Sequence, residues 1–410
     1  MNKIFLIITV ILSVFFTLNA QQSVIPLHFG AENTGIGCKQ PKFQDFDKLP
    51  SIVGLPNPFE WSDGSGLVKS YSEWECRRAE IIAEIGHYEL GDKPARPADI
   101  KAKFADDTLT VTVNNNGQTV VIKSKIAMPQ GEGPFPVIIG MNSGTGSLSP
   151  ALFSDCIRIP YMHNQVVAMS MQGAKGLESP FYRMYPELSL AGDYCGWSWG
   201  ISRLIDGLEI VAKEMNADLK HIAITGCSYA GKMALFGAAF DERIALALVQ
   251  ESGGGGVNSW RVSETQGDVE KISSTSYTWF MQSLKDNFDG KVEKLPYDHH
   301  ELIALIAPRA VVVLGNPDYV WMADVSGYVA SMAAREVWKA MGIEDRFGCD
   351  FSDKHPHCQA TESQNALVSL FADKFLRDKK ELDTSSKIKP PKEGIDVDKW
   401  IGDWKDYKLK

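Results

Sequence analysis

The chain has 410 residues, of which 44% are hydrophobic, so it can bury a large core as one elaborated domain or as two. Its formal net charge is −9 at pH 7, and its 42 lysines and arginines are scattered along the chain. Nucleic acids are held by clustered basic residues that neutralise their phosphates, so this composition argues against a nucleic-acid partner.

The first twenty residues have the pattern of a secretory signal peptide. Lys3 provides a weakly positive start, residues 4–18 are mainly apolar, and Ala20 ends a small-residue cleavage site before Gln21. A membrane anchor is the alternative, but the apolar run is short for a span and no cysteine follows the cleavage site for lipidation. We therefore predict a signal peptide at 1–20, a secreted mature protein and no membrane association after the signal is removed.

Cysteine and histidine spacing limits the metal chemistry. The chain contains seven cysteines, so at least one is unpaired, although disulfides can persist in a secreted protein. No Cys-x-x-Cys pair and no His-x-x-x-His spacing occurs, which argues against a zinc site. We expect no metal and no other cofactor.

The N-terminal third contains three recognisable segments. Residues 21–60 are rich in Pro, Gly and Asn and have little periodicity, which predicts an extended arm lying on the fold. Ser72 and Glu75 match a capping box, which predicts a helix that begins there and ends near Gly91. Residues 101–126 alternate polar and apolar side chains around Asn-Asn-Asn-Gly, the strongest hairpin signal in the chain.

Strands and helices then alternate. Residues 136–141 form a continuous apolar run typical of a buried strand, and residues 165–170 are predicted to form another strand. A helix that opens near Trp197 precedes the next strand. This alternation predicts a mainly parallel sheet covered on both faces. Residues 381–410 are predicted to form a Lys- and Pro-rich tail, pinned to the body by Trp400, Ile401 and Trp404.

A serine occupies the turn around which the chain is organised. Residues 221–225 are typical of a short buried strand, Gly-Cys-Ser-Tyr-Ala-Gly follows at 226–231, and a helical apolar pattern opens at Lys232. Such a strand–turn–helix resembles the nucleophile elbow of the α/β-hydrolases, in which the turn exposes the serine hydroxyl and the helix N-terminus faces an oxyanion. An ordinary capping serine at Ser228 is the alternative, so its partners must decide between the two.

Two acids are candidates for a partner. Glu251 comes directly after the predicted buried strand at 244–250, and Asp318 comes shortly after the predicted strand at 310–314. Both lie at the carboxyl ends of strands, where parallel sheets bind their ligands. Each could equally be a surface carboxylate beside a loop, and the sequence leaves the choice between them open.

The candidate base is His357, on a loop before the final predicted helix at 365–376. Imidazole changes charge near neutral pH and can pass a serine proton to a leaving alcohol. Serine, acid and histidine in this order are expected of an α/β-hydrolase. The loop at 142–146 sits where such enzymes place a second oxyanion donor, although a plain glycine-rich turn is the alternative.

Together these segments resemble one family. In their joint order the motifs are similar to the glucuronoyl esterases, carbohydrate esterase family fifteen, over about residues 38–376. The motifs are Gly-Cys-Ser-x-x-Gly-Lys at 226–232, Gln-Glu-Ser-Gly-x-Gly-Gly at 250–256 with Trp260 and Arg261, Leu-Ile-Ala-Leu-Ile-Ala-Pro-Arg at 302–309, and His-x-His-Cys at 355–358.

The resemblance implies a fold and an activity. The fold would be that of an α/β-hydrolase, a three-layer sandwich with a mainly parallel central sheet flanked by helices, covering residues 21–380 with the arm included. The activity would be that of a secreted serine esterase that cleaves the ester between 4-O-methyl-glucuronic acid of glucuronoxylan and lignin alcohols. We expect it to act as a monomer.

The resemblance also implies roles for individual residues. Ser228 would be the nucleophile, His357 the base and Glu251 the acid, ranked above Asp318 because the family takes its acid from this glycine-rich loop. Three further residues match sugar-binding positions, although Lys232 could also be a solvated lysine at a helix start and Trp321 a core aromatic. They are Lys232, which would bond sugar hydroxyls, Trp321, which would pack on the glucuronoyl ring, and Glu270, a polar contact.

Two further implications concern the nucleophile's neighbours. The family pattern pairs Cys227 with Cys358 and suggests a second disulfide between Cys38 and Cys76. It usually has arginine directly after the nucleophile, whereas this chain has Tyr229, whose backbone N–H would still serve the oxyanion. Losing one oxyanion donor commonly costs about 10²–10³ in turnover, so slower turnover, a different use of the tyrosine, or another ester are all open.

Two alternative functions keep the same scaffold. One is an esterase for acetyl or feruloyl groups on plant polysaccharides, which Tyr229 favours. The other is a non-catalytic carbohydrate-binding protein, against which the complete serine, acid and histidine set argues.

Overall fold

The structure is a computed structural model that describes residues 25–170 and 173–410. The predicted signal peptide at 1–20 therefore lies outside the described residues. Within the described ranges, no helix has the length and apolar character that crossing a membrane requires.

Strands and helices alternate along most of the described chain. The strands are β1 (Asp99–Ala105), β2 (Thr108–Asn115), β3 (Gln118–Lys125), β4 (Phe135–Met141), β5 (Ile157–Tyr161), β6 (Ala217–Cys227), β7 (Leu246–Gln250), β8 (Ala310–Leu314), β9 (Phe347–Asp350) and β10 (Ile388–Lys389). The helices are α1 (Tyr71–Ile85), α2 (Pro180–Met184), α3 (Asp193–Met215), α4 (Tyr229–Ala239), α5 (Trp260–Glu264), α6 (Gln282–Phe288), α7 (His299–Ala304), α8 (Asp324–Ala340), α9 (Glu362–Phe375) and α10 (Asp398–Ile401).

The larger sheet is parallel throughout. Among the described residues it has seven strands in the order β10-β9-β8-β7-β6-β4-β5, and each neighbouring pair runs in the same direction. The strand β6 lies between β4 and β7, so the loops that leave the carboxyl ends of these three strands meet at one edge of the sheet. Ligands of open parallel sheets bind at this edge.

Both faces of this sheet are buried, because successive side chains alternate between two cores. One core includes Val137, Ile139, Ile222, Ile224, Ala247, Val249, Val311 and Val313, together with apolar residues of α3, α4 and α8. The other includes Ile138, Ala223, Leu246, Leu248, Val312 and Leu314, which are covered by Val368, Phe371 and Phe375 of α9. Burial on both faces explains the continuous apolar runs of these strands and confirms the predicted three layers.

The predicted hairpin is part of an antiparallel meander, β1-β2-β3. Its two turns, at 106–107 and 116–117, have φ angles of 50°, 53°, 49° and 70° at their central residues. Positive φ at both central residues is the turn geometry that matches the twist of the flanking strands. After β3, Ala127 exchanges two backbone hydrogen bonds of 3.1 Å with Arg158 of β5. One isolated antiparallel bridge therefore links the end of the meander to the edge strand β5 of the central sheet.

The prediction of a strand at residues 165–170 is wrong. The chain forms β5 before that segment, and His163–Gln165 is a 3₁₀ turn. As an edge strand, β5 alternates buried residues with half-buried Arg158 and Pro160. Its sequence therefore lacks the continuous apolar run of the central strands, and a proline is tolerated in it because one side has no partner strand.

The helix predicted to begin at Ser72 begins earlier. The side chain of Ser70 accepts a 3.3 Å hydrogen bond from the N–H of Glu73, and the Glu73 carboxylate accepts one of 2.6 Å from the N–H of Lys69. The sequence contains two Ser-x-x-Glu patterns two residues apart, and the first of them caps α1. The helix ends at Ile85 and passes through a π-turn to Gly91, near the predicted end.

Both ends of the described chain pack on the body. A disulfide between Cys38 and Cys76, with an S–S distance of 2.00 Å, ties the N-terminal arm to α1. The C-terminal segment at 381–410 adds the edge strand β10 to the central sheet. Trp404 is buried, and its indole N–H donates a 3.4 Å hydrogen bond to the carbonyl of Leu55 in the arm.

Candidate active site

Ser228 lies on a sharp turn between β6 and α4. Its φ and ψ are 60° and −131°, a left-handed conformation that L residues rarely adopt, and its N–H donates a 3.1 Å hydrogen bond to the carbonyl of Gln250 in β7. A Cβ on Gly226 would lie 2.1 Å from the carbonyl oxygen of Ala230, and one on Gly231 would lie 2.4 Å from that of Gln250. Only glycine fits at these two positions, so the small residues of the motif permit the turn that lifts the hydroxyl out of the sheet.

A disulfide brings the histidine loop to this turn. Cys227 and Cys358 are joined with an S–S distance of 1.96 Å and a Cα–Cα distance of 5.8 Å, although 131 positions separate them in sequence. Ser228 follows the first cysteine and His357 precedes the second. This pairing, like that of Cys38 with Cys76, is the one that the resemblance implies.

Glu251 is the acid that contacts His357. Its carboxylate oxygen Oε2 lies 2.7 Å from Nδ1 of the imidazole, and Oε1 accepts a 2.8 Å hydrogen bond from the N–H of Cys358. The side-chain amide of Asn316 donates a third bond, of 3.2 Å, to Oε2. The carboxylate is fully buried, and three N–H groups surround a side chain that, when ionised, only accepts hydrogen bonds.

The backbone at Glu251 explains this orientation. Its φ is 42°, and its N–H donates a 2.7 Å hydrogen bond to the carbonyl of Leu314 at the end of β8. The chain therefore leaves β7 in a left-handed turn while still bonded to the next strand. The glycine-rich segment that follows packs closely against Glu270 and Phe280.

Asp318 lies away from His357. Its side chain is half exposed and pairs with Lys354 at 3.1 Å, and its backbone N–H bonds to the side-chain oxygen of Asn316 at 3.1 Å. The structure thus brings Glu251, and not Asp318, to the imidazole.

The imidazole of His357 has one nitrogen committed to this acid. Nδ1 faces Glu251, so Nε2 is the nitrogen available for proton exchange with a hydroxyl. The ring is 32% exposed and packs on Tyr319 with a centroid separation of 4.3 Å. The neighbouring His355 is buried, and its Nδ1 is 3.8 Å from the Glu251 carboxylate, beyond hydrogen-bonding distance.

A second acid lies near Glu251. Asp324 opens α8, and its Oδ2 is buried without a hydrogen-bond partner among the described residues. Burial, with a smaller contribution from the charge of Glu251, raises the pKa of the Asp324 carboxyl to about 7, against a backbone hydrogen bond from Asn316 that lowers it. Partial protonation near neutral pH therefore limits the negative charge around Glu251.

Lys232 is a buried residue one turn into α4. Its N–H bonds to the carbonyl of Ser228 at 3.1 Å, and its ammonium forms a 2.9 Å ion pair with Glu270. The same ammonium lies 5.4 Å from the ring centre of Trp279, within the range of a cation–π contact. The hydroxyl of Thr275 donates a 3.0 Å bond to the other Glu270 oxygen. Lys232 is therefore not a solvated lysine at a helix start.

A cavity of about 570 Å³ opens beside this ion pair. Trp321 is half-buried in its wall, and its carbonyl accepts a 3.1 Å hydrogen bond from the N–H of Glu270. The structure thus brings the three predicted sugar-binding residues, Lys232, Glu270 and Trp321, into one neighbourhood next to the elbow. The cavity is lined by Lys175, Glu270, Tyr277, Trp279, Gln282 and Trp321, among others.

The oxyanion side of the elbow has two features. As the first residue of α4, Tyr229 has a backbone N–H without an acceptor one turn earlier in the helix. In the loop at 142–146, the N–H of Asn142 is used by the carbonyl of Tyr161 at 3.0 Å. The side chain of Asn142 instead donates a 2.8 Å bond to the hydroxyl of Tyr229.

Four potential metal ligands converge at the site, namely Cys227, Glu251, His357 and Cys358, with ligand atoms within 4.8 Å of one another. The two sulfurs are joined in the disulfide and are not thiolates. Glu251 and His357 alone are fewer than the three protein ligands that catalytic zinc sites use. This arrangement fits an acid–base pair.

Several contacting residues were not predicted from the sequence. Asn316, whose amide bonds to Glu251, lies two positions before Asp318. Its position shortly after the predicted strand at 310–314 could have indicated a role in the site. Asn142 belongs to the loop at 142–146, which was predicted to lie at the position of a second oxyanion donor, but no single residue of that loop was assigned a role. The sequence did not indicate that Trp279 contacts Lys232 or that Tyr319 contacts His357, because an aromatic residue in an irregular segment is as common in a core as in a site.

Known proteins resemble this chain along most of its length. A family model described as "Glucuronyl esterase, fungi" matches residues 111–342. The 4-O-methyl-glucuronoyl methylesterase of Phanerochaete carnosa is 34% identical over 378 residues, 88% of this chain and 89% of that protein. The enzyme of the same name from Thermothelomyces thermophilus is 34% identical over 339 residues, 80% of this chain and 83% of that protein.

Two solved structures have the same architecture. The glucuronoyl esterase catalytic domain from Hypocrea jecorina has a TM-score of 0.81 at 32% identity and covers 88% of this chain and 99% of its own. A mutant glucuronoyl esterase from Sporotrichum thermophile, in complex with methyl 4-O-methyl-β-D-glucopyranuronate, has a TM-score of 0.78 at 31% identity and covers 88% and 96%.

The parallel sheet between helical layers, with a serine on the turn after β6, is the α/β-hydrolase fold that the sequence predicted. With these relatives, it makes the protein a carboxylic ester hydrolase. Within that class the chain belongs to the glucuronoyl esterase family, which confirms the resemblance seen in its motifs.

Proposed function

We propose that this protein is a secreted serine esterase that hydrolyses the ester between 4-O-methyl-glucuronic acid of glucuronoxylan and lignin alcohols. The observation that carries the proposal is the 2.7 Å contact between Glu251 and His357, on a loop that a disulfide joins to the turn of Ser228. Relatives named 4-O-methyl-glucuronoyl methylesterases, and a relative's complex with a methyl glucuronate ester, support the acyl part of the substrate.

The reaction proceeds through an acyl-enzyme. Nε2 of His357 takes the proton of the Ser228 hydroxyl as its oxygen bonds to the ester carbonyl carbon. Glu251 holds the imidazole and stabilises its positive charge. The alcohol leaves with the proton from His357, and water then attacks the acyl-enzyme by the same route and releases the uronate and free Ser228. The backbone N–H of Tyr229 donates to the oxyanion in both steps.

Three residues beside the elbow bind the sugar. Lys232 and Glu270 present a fixed donor and a fixed acceptor for ring hydroxyls, because each holds the other in place at 2.9 Å. Trp321 supplies an aromatic surface in the cavity wall. Secretion of the protein as a monomer is part of the proposal; the signal-like residues 1–20 and the two disulfides support export.

The test compares acid and nucleophile variants on methyl and benzyl esters of glucuronic acid. We expect Ser228→Ala to be inactive and to resist labelling by a fluorophosphonate, while wild type is labelled at that serine. Glu251→Gln should lower kcat by roughly 10⁴-fold, because the amide would present its NH₂ to Nδ1 and disfavour the working tautomer. Asp318→Asn is the matched control and should retain turnover.

Equal turnover by wild type and Ser228→Ala would remove Ser228 from the mechanism. Loss of activity in Asp318→Asn but not in Glu251→Gln would reverse the assignment of the acid. Faster turnover of acetyl or feruloyl esters than of glucuronate esters would favour the alternative substrate, which the tyrosine at 229 allows. Absence of both labelling and turnover would favour a carbohydrate-binding protein without catalysis.

A further inference from the structure

A series of hydrogen-bonded side chains runs from the buried His163 through Asn142 to Tyr229, the residue that follows Ser228. Nδ1 of His163 lies 2.6 Å from the side-chain oxygen of Asn142, and the amide nitrogen of Asn142 donates a 2.8 Å bond to the Tyr229 hydroxyl. Asn142 directly follows β4, which pairs with β6. This series of hydrogen bonds therefore ends at the edge of the sheet where Ser228 lies.

The protonation state of His163 determines which group donates and which accepts in these two hydrogen bonds. The side chain is 2% exposed, and burial lowers the pKa of its imidazole to about 4, so the ring is neutral near pH 7. Its Nε2 is buried without a hydrogen-bond partner among the described residues. A buried N–H without an acceptor is costlier than a buried lone pair without a donor, which puts the single ring hydrogen on Nδ1.

Nδ1 of His163 therefore donates, and the oxygen of Asn142 is the acceptor. That fixes the Asn142 amide with its NH₂ group toward the Tyr229 hydroxyl, which accepts. Since the hydroxyl oxygen receives this bond, its own hydrogen points away from Asn142. It remains available to another acceptor.

Other contacts hold the backbone carbonyl and the ring of Tyr229 in place. Its carbonyl accepts a 3.0 Å bond from the hydroxyl of Tyr194, and its ring stacks on Trp279 at 6.3 Å between centroids, with an interplanar angle of 24°. The His163 ring packs against that of Tyr229, with 5.8 Å between the ring centroids. The phenol is thus held at a half-buried position beside the elbow, and its hydrogen has no acceptor among the described residues.

We propose that the Tyr229 hydroxyl is the second oxyanion donor and that Asn142 and His163 are positioning residues that direct its O–H. This inference rests on the proposed acyl-enzyme at Ser228. As the serine oxygen bonds to the ester carbon, the carbonyl electron pair moves onto oxygen, and the phenol donates a hydrogen bond to that oxyanion without transferring its proton. The bond weakens again when the carbonyl re-forms and the alcohol leaves.

Three variants test the inference on a methyl glucuronate ester. Tyr229→Phe keeps the ring and should lower kcat by about 10²–10³-fold with KM changed by less than about threefold. Asn142→Asp should lower kcat to a similar extent, because its carboxylate accepts the phenol hydrogen and turns it from the site. The double variant Tyr229→Phe with Asn142→Asp should be no slower than Tyr229→Phe, since the two residues act as one unit.

Controls separate this inference from the proposed function. Tyr407→Phe loses a hydroxyl that bonds to the Val68 carbonyl at 2.8 Å and should keep full turnover, and thermal unfolding checks that each variant is folded. An active Ser228→Ala would overturn the proposed function and this inference together. An inactive Ser228→Ala beside a fully active Tyr229→Phe would overturn the inference alone. A raised KM with unchanged kcat in Tyr229→Phe, or a further loss in the double variant, would overturn it as well.

Discussion

Lys232 and Glu270 form a buried ion pair, which we propose serves both the stability of the fold and the binding of the sugar. Their side chains are 2% and 4% exposed, so removing either charge leaves the other buried without its partner. Breaking such a pair commonly costs about 3–5 kcal/mol of unfolding free energy, whereas replacing both charges by neutral groups is often nearly neutral. This difference allows the two roles of the pair to be separated by experiment.

We predict that Lys232→Met lowers both the melting temperature and the affinity for a glucuronate ester. Adding Glu270→Gln should recover most of the melting temperature, because no unpaired charge remains, but should leave KM high because the sugar has lost both partners. Melting curves and steady-state kinetics of the two single variants and the double variant measure this. Recovery of KM along with stability would mean that the pair has only a structural role.

The contact between α1 and α7 concentrates carboxylates around one cation. Arg77 of α1 lies 3.1 Å from Glu301 of α7 and 3.3 Å from both Glu80 and Glu84. If all three carboxyl groups were ionised, one guanidinium would not offset their buried negative charge. Burial accordingly raises the pKa of Glu301 to about 8, with Arg77 opposing the shift and Glu84 adding to it.

The pH dependence of stability follows from this shift. The Glu301 carboxyl holds its proton in the folded state up to about pH 8 but loses it in the unfolded state near its ordinary value of 4.5. Its contribution to stability is thus fully present below pH 4.5 and is lost as the pH rises through about 8. Glu301→Gln, which cannot ionise, should gain in melting temperature relative to wild type between pH 6 and pH 9.

Differential scanning fluorimetry at both pH values measures that gain. Glu381→Gln, at an exposed position, is the matched control and should track wild type. A difference between wild type and Glu301→Gln that stays constant from pH 6 to pH 9 would contradict the raised pKa.

At the scale of the whole molecule, the two disulfides have different tasks. The one between Cys227 and Cys358 spans 131 positions and holds the loop of His357 beside the elbow, whereas the one between Cys38 and Cys76 spans 38 and holds the arm. In the chain-entropy model, closing loops of these lengths stabilises the fold by about 5 and about 4 kcal/mol. Their effects on stability should therefore be similar.

Their effects on turnover should differ. We predict that Cys227→Ala with Cys358→Ala lowers kcat as well as the melting temperature, because the freed loop samples positions in which His357 is out of reach of Ser228. Cys38→Ala with Cys76→Ala should lower the melting temperature while kcat, measured well below it, stays near wild type. Equal kcat for the two double variants would show that the elbow disulfide does not position the base.

Local chemistry made much of the fold predictable. The continuous apolar runs of β4, β6, β7 and β8 are a consequence of burial on both faces, so they could be recognised without a structure. The elbow could be recognised because Gly226, Gly231 and Ser228 meet a steric requirement within a few residues. The prediction failed where no such local requirement exists. The edge strand β5 was missed, and the wrong one of two serines was chosen as the cap of α1.

The sequence by itself determined the class of fold, the order of serine, acid and histidine, and the family. Only the tertiary structure decided that Glu251 faces the imidazole while Asp318 faces Lys354, since both acids follow parallel strands and differ in how the backbone turns afterwards. It also decided that Asn142 reaches Tyr229 across 87 positions. The physical reason is that a contact between distant residues depends on where the strands register and which way each loop leaves the sheet, and neither is set by the residues in contact.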